Sequence, residues 1–212
     1  MSNVESWGET LRLLVELAAT AAFALSGVLE AARKRLDAVG VCVVGFLTAF
    51  GGGTLRDLLL DIRPFFWVRH IEVLWSVLAL CVLAMFFLRN AHFELTKKAI
   101  LWPDAVGLGL FTATGVHLAL LSQMPGLVAV LMGLVTGVFG GVLRDVVCNE
   151  IPSAFSDHRP YAICALVGGG VYVGLWQTNA PDWLALAACI TVTVGLRALA
   201  LWRNWQLPAW RH

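Results

Sequence analysis

Gly52-Gly53-Thr54-Leu55-Arg56-Asp57 recurs as Gly140-Gly141-Val142-Leu143-Arg144-Asp145, with one of the six positions changed. The copies lie 88 residues apart. The same offset sets Phe23 on Phe111, Gly27 on Gly115, Gly45 on Gly133, Thr48 on Thr136, Pro64 on Pro152 and His70 on His158, with no gap. A single offset held over so many positions marks an internal duplication. The chain therefore reads as one domain, 1–212, with a first repeat over 10–90, a second over 98–178 and an unpaired segment over 183–202.

The residues around these motifs are mostly apolar. Of 212 residues, 59% are hydrophobic and 14% charged, and the mean hydropathy is +0.78. A soluble core cannot hide that much apolar surface, so lipid is the expected solvent. A spanning helix needs about 20 mostly apolar residues. That template fits 11–30, 38–60, 70–89, 100–121, 127–148, 161–177 and 183–202. The first stretch is longer than a signal-peptide core, and Glu5 and Glu9 precede it with Arg12 as the only nearby cation, so it reads as a permanent span.

The predicted fold is an all-α membrane protein with seven transmembrane helices. Each repeat supplies three, and an odd number of crossings makes the second copy start on the opposite side of the bilayer, so the repeats are inverted. The seventh is an accessory helix with Arg197 near its end. Arg33, Lys34, Arg35, Arg89, Lys97, Lys98, Arg159, Arg203 and Arg211 fall on one side, against Arg63, Arg69 and Arg12 on the other. The positive-inside rule then puts the N-terminus outside and the C-terminus in the cytoplasm. Trp7, Trp67, Trp102, Trp176, Trp183, Trp202, Trp205 and Trp210 mark segment ends, as interfacial tryptophans do, whereas Trp75 lies within a span.

Gly51, Gly52 and Gly53 interrupt the second span, and Gly140 and Gly141, preceded by Gly137, interrupt the fifth. Glycine costs about 1 kcal/mol relative to alanine inside a helix, so both clusters are expected to kink or partly unwind their helices. Backbone freed inside a membrane must meet protein, water or an ion, and two such breaks would define a central pathway. The competing reading is that the glycines only let neighbouring helices approach closely. Gly168-Gly169-Gly170, outside the duplication pattern, is read in that second way.

An Arg-Asp pair follows each glycine cluster. A charge at the bilayer centre costs about 2.5–3.5 kcal/mol on insertion scales, so Arg56, Asp57, Arg144 and Asp145 should face protein interior or water, as part of an ion path, its gate or a mutual salt-bridge lock. Each aspartate is expected near the start of a resumed half-helix, where the dipole favours negative charge. Ser26 and Thr114, with Thr48 and Thr136, occupy matched sites from which hydroxyls could replace waters around a cation or simply bond the carbonyl one turn back. Glu16, Glu30 and His117 are polar residues in or near spans, without an assigned role.

A net charge of +1 offers no surface for nucleic acid. Cys42, Cys81, Cys148, Cys164 and Cys189 all lie in spans without a CxxC or Cys/His spacing, which reads as small buried hydrophobes. There is no Walker loop, GxSxG elbow, HExxH or paired carboxylate motif, so neither an enzyme nor a resident cofactor or metal is expected.

The duplicated GGxxRD motif within seven spans resembles the prokaryotic trimeric intracellular cation (TRIC) channels over essentially the whole chain. The same sequence family also carries a glycine-transporter label. The resemblance implies a homotrimer in a prokaryotic plasma (inner) membrane, each subunit enclosing an hourglass pore for potassium and sodium lined by the first, second, fourth and fifth spans. Expected partners are monovalent cations and membrane lipids. In that mechanism the carbonyls of 51–53 and 139–141 and the Ser and Thr hydroxyls replace part of a hydration shell, and Arg56 and Arg144 tune or gate the constriction. A secondary carrier for glycine or a similar zwitterion, its broken helices near the midplane, remains the alternative, and a non-transporting scaffold a third class.

Overall fold

A computed structural model describes residues 2–89, 97–156 and 159–206. These fold into helices α1 (Ser2–Arg33), α2 (Ala38–Leu59), α3 (Phe66–Arg69), α4 (Ile71–Arg89), α5 (Lys97–Leu121), α6 (Gly126–Val147), α7 (Ser153–Ser156), α8 (Ala162–Gln177) and α9 (Asp182–Trp202). His158, Trp210 and Arg211 lie outside the described residues.

Among the described residues, five helices are long and apolar enough to cross a membrane: Thr10–Arg33 of α1, all of α2, Ala99–Leu121 of α5, and all of α6 and α9. The apolar parts of the other two long helices, Ile71–Phe87 and Ala162–Gln177, are shorter. Helices α1, α2, α5 and α6 form the centre of the bundle. Helix α4 leans on α1 and α2, and α8 and α9 pack together against α5. The apolar surface is turned outward as well as inward, with Trp75, Phe86, Phe87, Leu127 and Trp202 exposed, as expected for a chain solvated by lipid.

The turns repeat at the same spacing as the motifs. Helix α2 starts on Asp37, whose Oδ1 accepts the Gly40 N–H at 2.8 Å. Helices α2 and α6 end alike. Asp61 and Asn149 take left-handed φ values of 53° and 54°, and the next amides, Ile62 and Glu150, return to the Asp57 and Asp145 carbonyls at 2.8 Å. Arg35 and Gln123, also 88 apart, close α1 and α5 with φ of 55° and 60°.

Both glycine clusters lie inside continuous helix. The helical hydrogen bonding of α2 runs through Gly51–Gly53 and that of α6 through Gly140–Gly141, so the partial unwinding expected from the sequence is absent. Glycine's propensity penalty of about 1 kcal/mol is small beside the cost of leaving backbone groups unpaired in an apolar interior. What the glycines provide is proximity. A Cβ on Gly52 would fall on the Thr136 carbonyl oxygen, and one on Gly140 on the Thr48 carbonyl oxygen, so α2 and α6 cross backbone against backbone. A Cβ on Gly168 would fall on Thr193 Oγ1, so that glycine seats α8 on α9.

Candidate functional site

The crossing of α2 and α6 is sheathed by α1 and α5, and small residues set how closely they approach. A Cβ on Gly27 would stand 2.6 Å from Thr48 Oγ1, and one on Gly115 at the same distance from Thr136 Oγ1. Between the two sheathing helices the Phe23 and Phe111 rings meet at 5.3 Å, tilted by 34°. Ser26, Thr48, Thr114 and Thr136, the four hydroxyls singled out from the sequence, are all fully buried around this level.

Thr48 and Thr136 each donate to the carbonyl one turn back, Val44 and Met132, at 2.6 Å. Thr114 donates to the Phe111 carbonyl at 3.2 Å. A hydroxyl that has donated its proton keeps lone pairs to offer, so this bonding is compatible with coordinating a cation. Ser26 acts differently, accepting from Arg144 Nη1.

The two Arg-Asp pairs anchor two buried charge clusters. In one, Arg56 donates from Nε and Nη2 to Asp57 Oδ1 at 2.9 and 2.7 Å, and from Nη2 to Glu16 Oε1 at 2.7 Å. In the other, Arg144 Nε donates to Asp145 Oδ1 at 2.8 Å and Nη1 to Asp104 Oδ1 at 2.6 Å. Glu16 and Asp104 are again 88 residues apart. All six groups are under 10% exposed, so each guanidinium holds two carboxylates away from water.

The clusters do not share one depth. Glu16 and Ser26, which touch opposite clusters, are ten residues apart on α1, or about 15 Å along a helix rising 1.5 Å per residue. The glycine crossing and the phenylalanine pair fall between them. Among the described residues, Arg56 Nη1 has no hydrogen-bond partner.

Asp57 and Asp145 sit in the last turns of α2 and α6, not at the start of a resumed half-helix. Each α-helix continues past its glycines, so no new N-terminus forms upstream of the aspartate. The carboxylates instead reach forward: Asp57 Oδ2 accepts the Phe66 N–H at 3.1 Å and Asp145 Oδ2 the Ser153 N–H at 2.7 Å, at the first residues of α3 and α7. Arg56 and Arg144 occupy the helix ends that suit cations.

The structure therefore brings Gly52, Gly140 and the four hydroxyls to one crossing and holds the two Arg-Asp pairs apart, at different depths. Gly53 is looser, its nearest neighbour being Arg56 Nη2 at 3.8 Å. Gly51 faces the Leu143 side chain, and Gly141 faces Asp104 and Tyr161. Asp104 and Tyr161 were missed in the sequence reading, and Glu16 was left without a role. Glu30 pairs with Arg33, which with Lys34 reaches Glu150 at 2.6 Å. His117 shares a 2.6 Å hydrogen bond with the Tyr172 hydroxyl.

The sequence profile of the Glycine transporter family matches twice, over 13–89 and 101–177. A UPF0126 membrane protein of Vibrio cholerae is 35% identical over 94% of this chain and 82% of its own length. The UPF0126 inner membrane protein YadS of Escherichia coli is 37% identical over 92% and 93%. Among solved structures, the TRIC trimeric intracellular cation channel orthologue from Rhodobacter sphaeroides superposes with a TM-score of 0.86 at 35% identity, covering 92% of this chain and all of that one. A prokaryotic TRIC channel crystallised in 0.5 M KCl gives 0.85 at 29% identity, over 94% of this chain. By sequence, fold and the doubled GGxxRD motif, this chain belongs to the prokaryotic TRIC channel family, which the Glycine transporter sequence family overlaps.

Proposed function

We propose that this protein is a passive channel for monovalent cations, potassium and also sodium, with one pathway in each subunit of a homotrimer. In this reading seven helices cross a prokaryotic inner membrane as two inverted repeats plus α9, with the N-terminus outside and the C-terminus cytoplasmic. The double match of the family profile, at starts 88 residues apart, supports the inverted pair. The likeness to solved trimeric cation channels supports both the conducted species and the assembly.

One observation carries the reading: two clusters, each with two buried carboxylates around one buried guanidinium, stand at either end of a hydroxyl-lined crossing. At each end two buried carboxylates face one buried guanidinium, and Arg12 beside Glu16 is partly screened by solvent, so the local field favours a cation over an anion in the low-dielectric interior. Between the clusters, Ser26, Thr48, Thr114 and Thr136 offer oxygens in place of water. The Phe23–Phe111 contact and the glycine crossing close the path in this conformation, and α2 and α6 bending apart at Gly51–Gly53 and Gly140–Gly141 would open it.

A second reading, a carrier for glycine, is favoured by the family's description and by Arg-Asp pairs able to bind carboxylate and ammonium. Purified protein in planar bilayers separates the two. Unitary steps selective for potassium and sodium over chloride support the channel. Saturable glycine uptake into proteoliposomes without unitary current overturns it.

A further inference from the structure

Helix α9 has no counterpart in the duplication, yet it reaches one of the two charge clusters. Arg197, buried on α9, lies with its guanidinium carbon 4.7 Å from the centroid of the Tyr161 ring, and its Nη1 donates to the Pro160 carbonyl at 2.9 Å. Tyr161, itself buried, precedes α8 and turns its hydroxyl to the same spot as the Asp104 carboxylate. The two groups converge over the backbone of Gly141, where a Cβ would stand 3.3 Å from Asp104 Oδ1 and 3.4 Å from the Tyr161 hydroxyl. Asp104 is the carboxylate that Arg144 holds at 2.6 Å.

The other cluster is built differently. The residue 88 before Tyr161 is Val73, which offers no hydroxyl. Glu16 takes its second contact from Arg12 at 3.3 Å, a side chain one quarter exposed. One carboxylate is thus trimmed by a partly exposed arginine, the other by a buried phenol that has a cation on its face.

We propose that Tyr161, backed by Arg197, is a positioning residue that sets how strongly the Asp104 end of the pathway attracts cations, so that the two ends are unequal. The phenol proton occupies a lone pair of Asp104 and holds the carboxylate toward Arg144. A guanidinium over the ring draws electron density from it and strengthens the hydroxyl as a donor. Without the phenol oxygen, Asp104 has a free lone pair and more freedom to turn to a passing cation. This inference rests on the conduction reading above.

The test is oriented single-channel recording of the full-length trimer across a series of KCl concentrations, with currents of each polarity fitted separately. Tyr161→Phe keeps the ring and the Arg197 contact and removes one oxygen. It should lower the half-saturating KCl for ions entering at the Asp104 end by a factor of about 3 to 10, the range expected from the net contribution of one ordinary hydrogen bond, and leave the other polarity unchanged. Arg197→Met should shift the same polarity in the same direction by less. Arg12→Gln should shift only the opposite polarity.

A purely structural role would change both polarities together or the open probability alone, and that pattern overturns the proposal, as does a wild-type half-saturation in Tyr161→Phe. A wild type without unitary current overturns the conduction reading and this inference with it. Infrared difference spectra, with the Asp104 carboxylate stretch assigned by Asp104→Asn, check the contact without any current. The band should move in Tyr161→Phe, and a fixed band refutes the positioning.

Discussion

Replacing neighbouring glycines of one run by alanine should have effects of opposite sign. At Gly52 the added methyl would meet the Thr136 carbonyl oxygen, a backbone atom that cannot turn aside, so α2 and α6 must separate. Overpacking of this kind costs about 1–3 kcal/mol, and for a chain of this size each kcal/mol moves the melting temperature by roughly 2–4 °C. At Gly53 the methyl would meet only Arg56 Nη2, at 3.8 Å, which is ordinary contact. The gain in helix propensity, about 0.5–1 kcal/mol, is then unopposed. Thermal unfolding of the detergent-solubilised protein should place Gly52→Ala roughly 2–12 °C below wild type and Gly53→Ala at or above it. Gly140→Ala, against the Thr48 carbonyl, should behave like Gly52→Ala, and the double variant should lose less than the sum, since one methyl already opens the crossing. Equal melting temperatures for Gly52→Ala and Gly53→Ala would refute the backbone-contact account.

Other variants probe the charges and hydroxyls. Arg144→Met leaves Asp104 and Asp145 buried without their cation and should cost about 3–5 kcal/mol, whereas adding Asp104→Asn should recover part of that loss, as read by melting temperature. Thr48→Val and Thr136→Val remove an oxygen at nearly constant volume. Each deletes a hydroxyl donation to a helix carbonyl, so melting should change by a few degrees at most, while unitary conductance falls if these oxygens line the path. Gly168→Ala should destabilise by pressing α8 off Thr193, and Thr193→Ala should rescue it; additive losses would mean the contact is not the cause.

The all-helical membrane character was legible because lipid imposes a simple rule on sequence, about 20 apolar residues per crossing, and the 88-residue offset is visible in residues as different as Phe23, Gly27 and Pro64. The offset also contained the missing partners. It pairs Glu16 with Asp104, two acids in otherwise apolar stretches, and applying it to charges as well as to the glycine motif would have found both. Tyr161 and Arg197 were beyond its reach. Neither has a counterpart in the duplication, and their link to Arg144 is made only when α8 and α9 fold back on α5. The expected unwinding failed for a different reason: local propensity marks where a helix is weak, but whether it opens depends on what packs against it, and here the Thr48 and Thr136 carbonyls do.

The central claim is selective passage of small cations between the two carboxylate clusters. It is tested most directly by the reversal potential of the purified protein under a tenfold KCl gradient. Cation selectivity predicts unitary currents that reverse near the potassium equilibrium potential, about 59 mV in magnitude for a singly charged ion. Reversal near zero, reversal toward the chloride potential, or bilayers as silent as protein-free controls would contradict it.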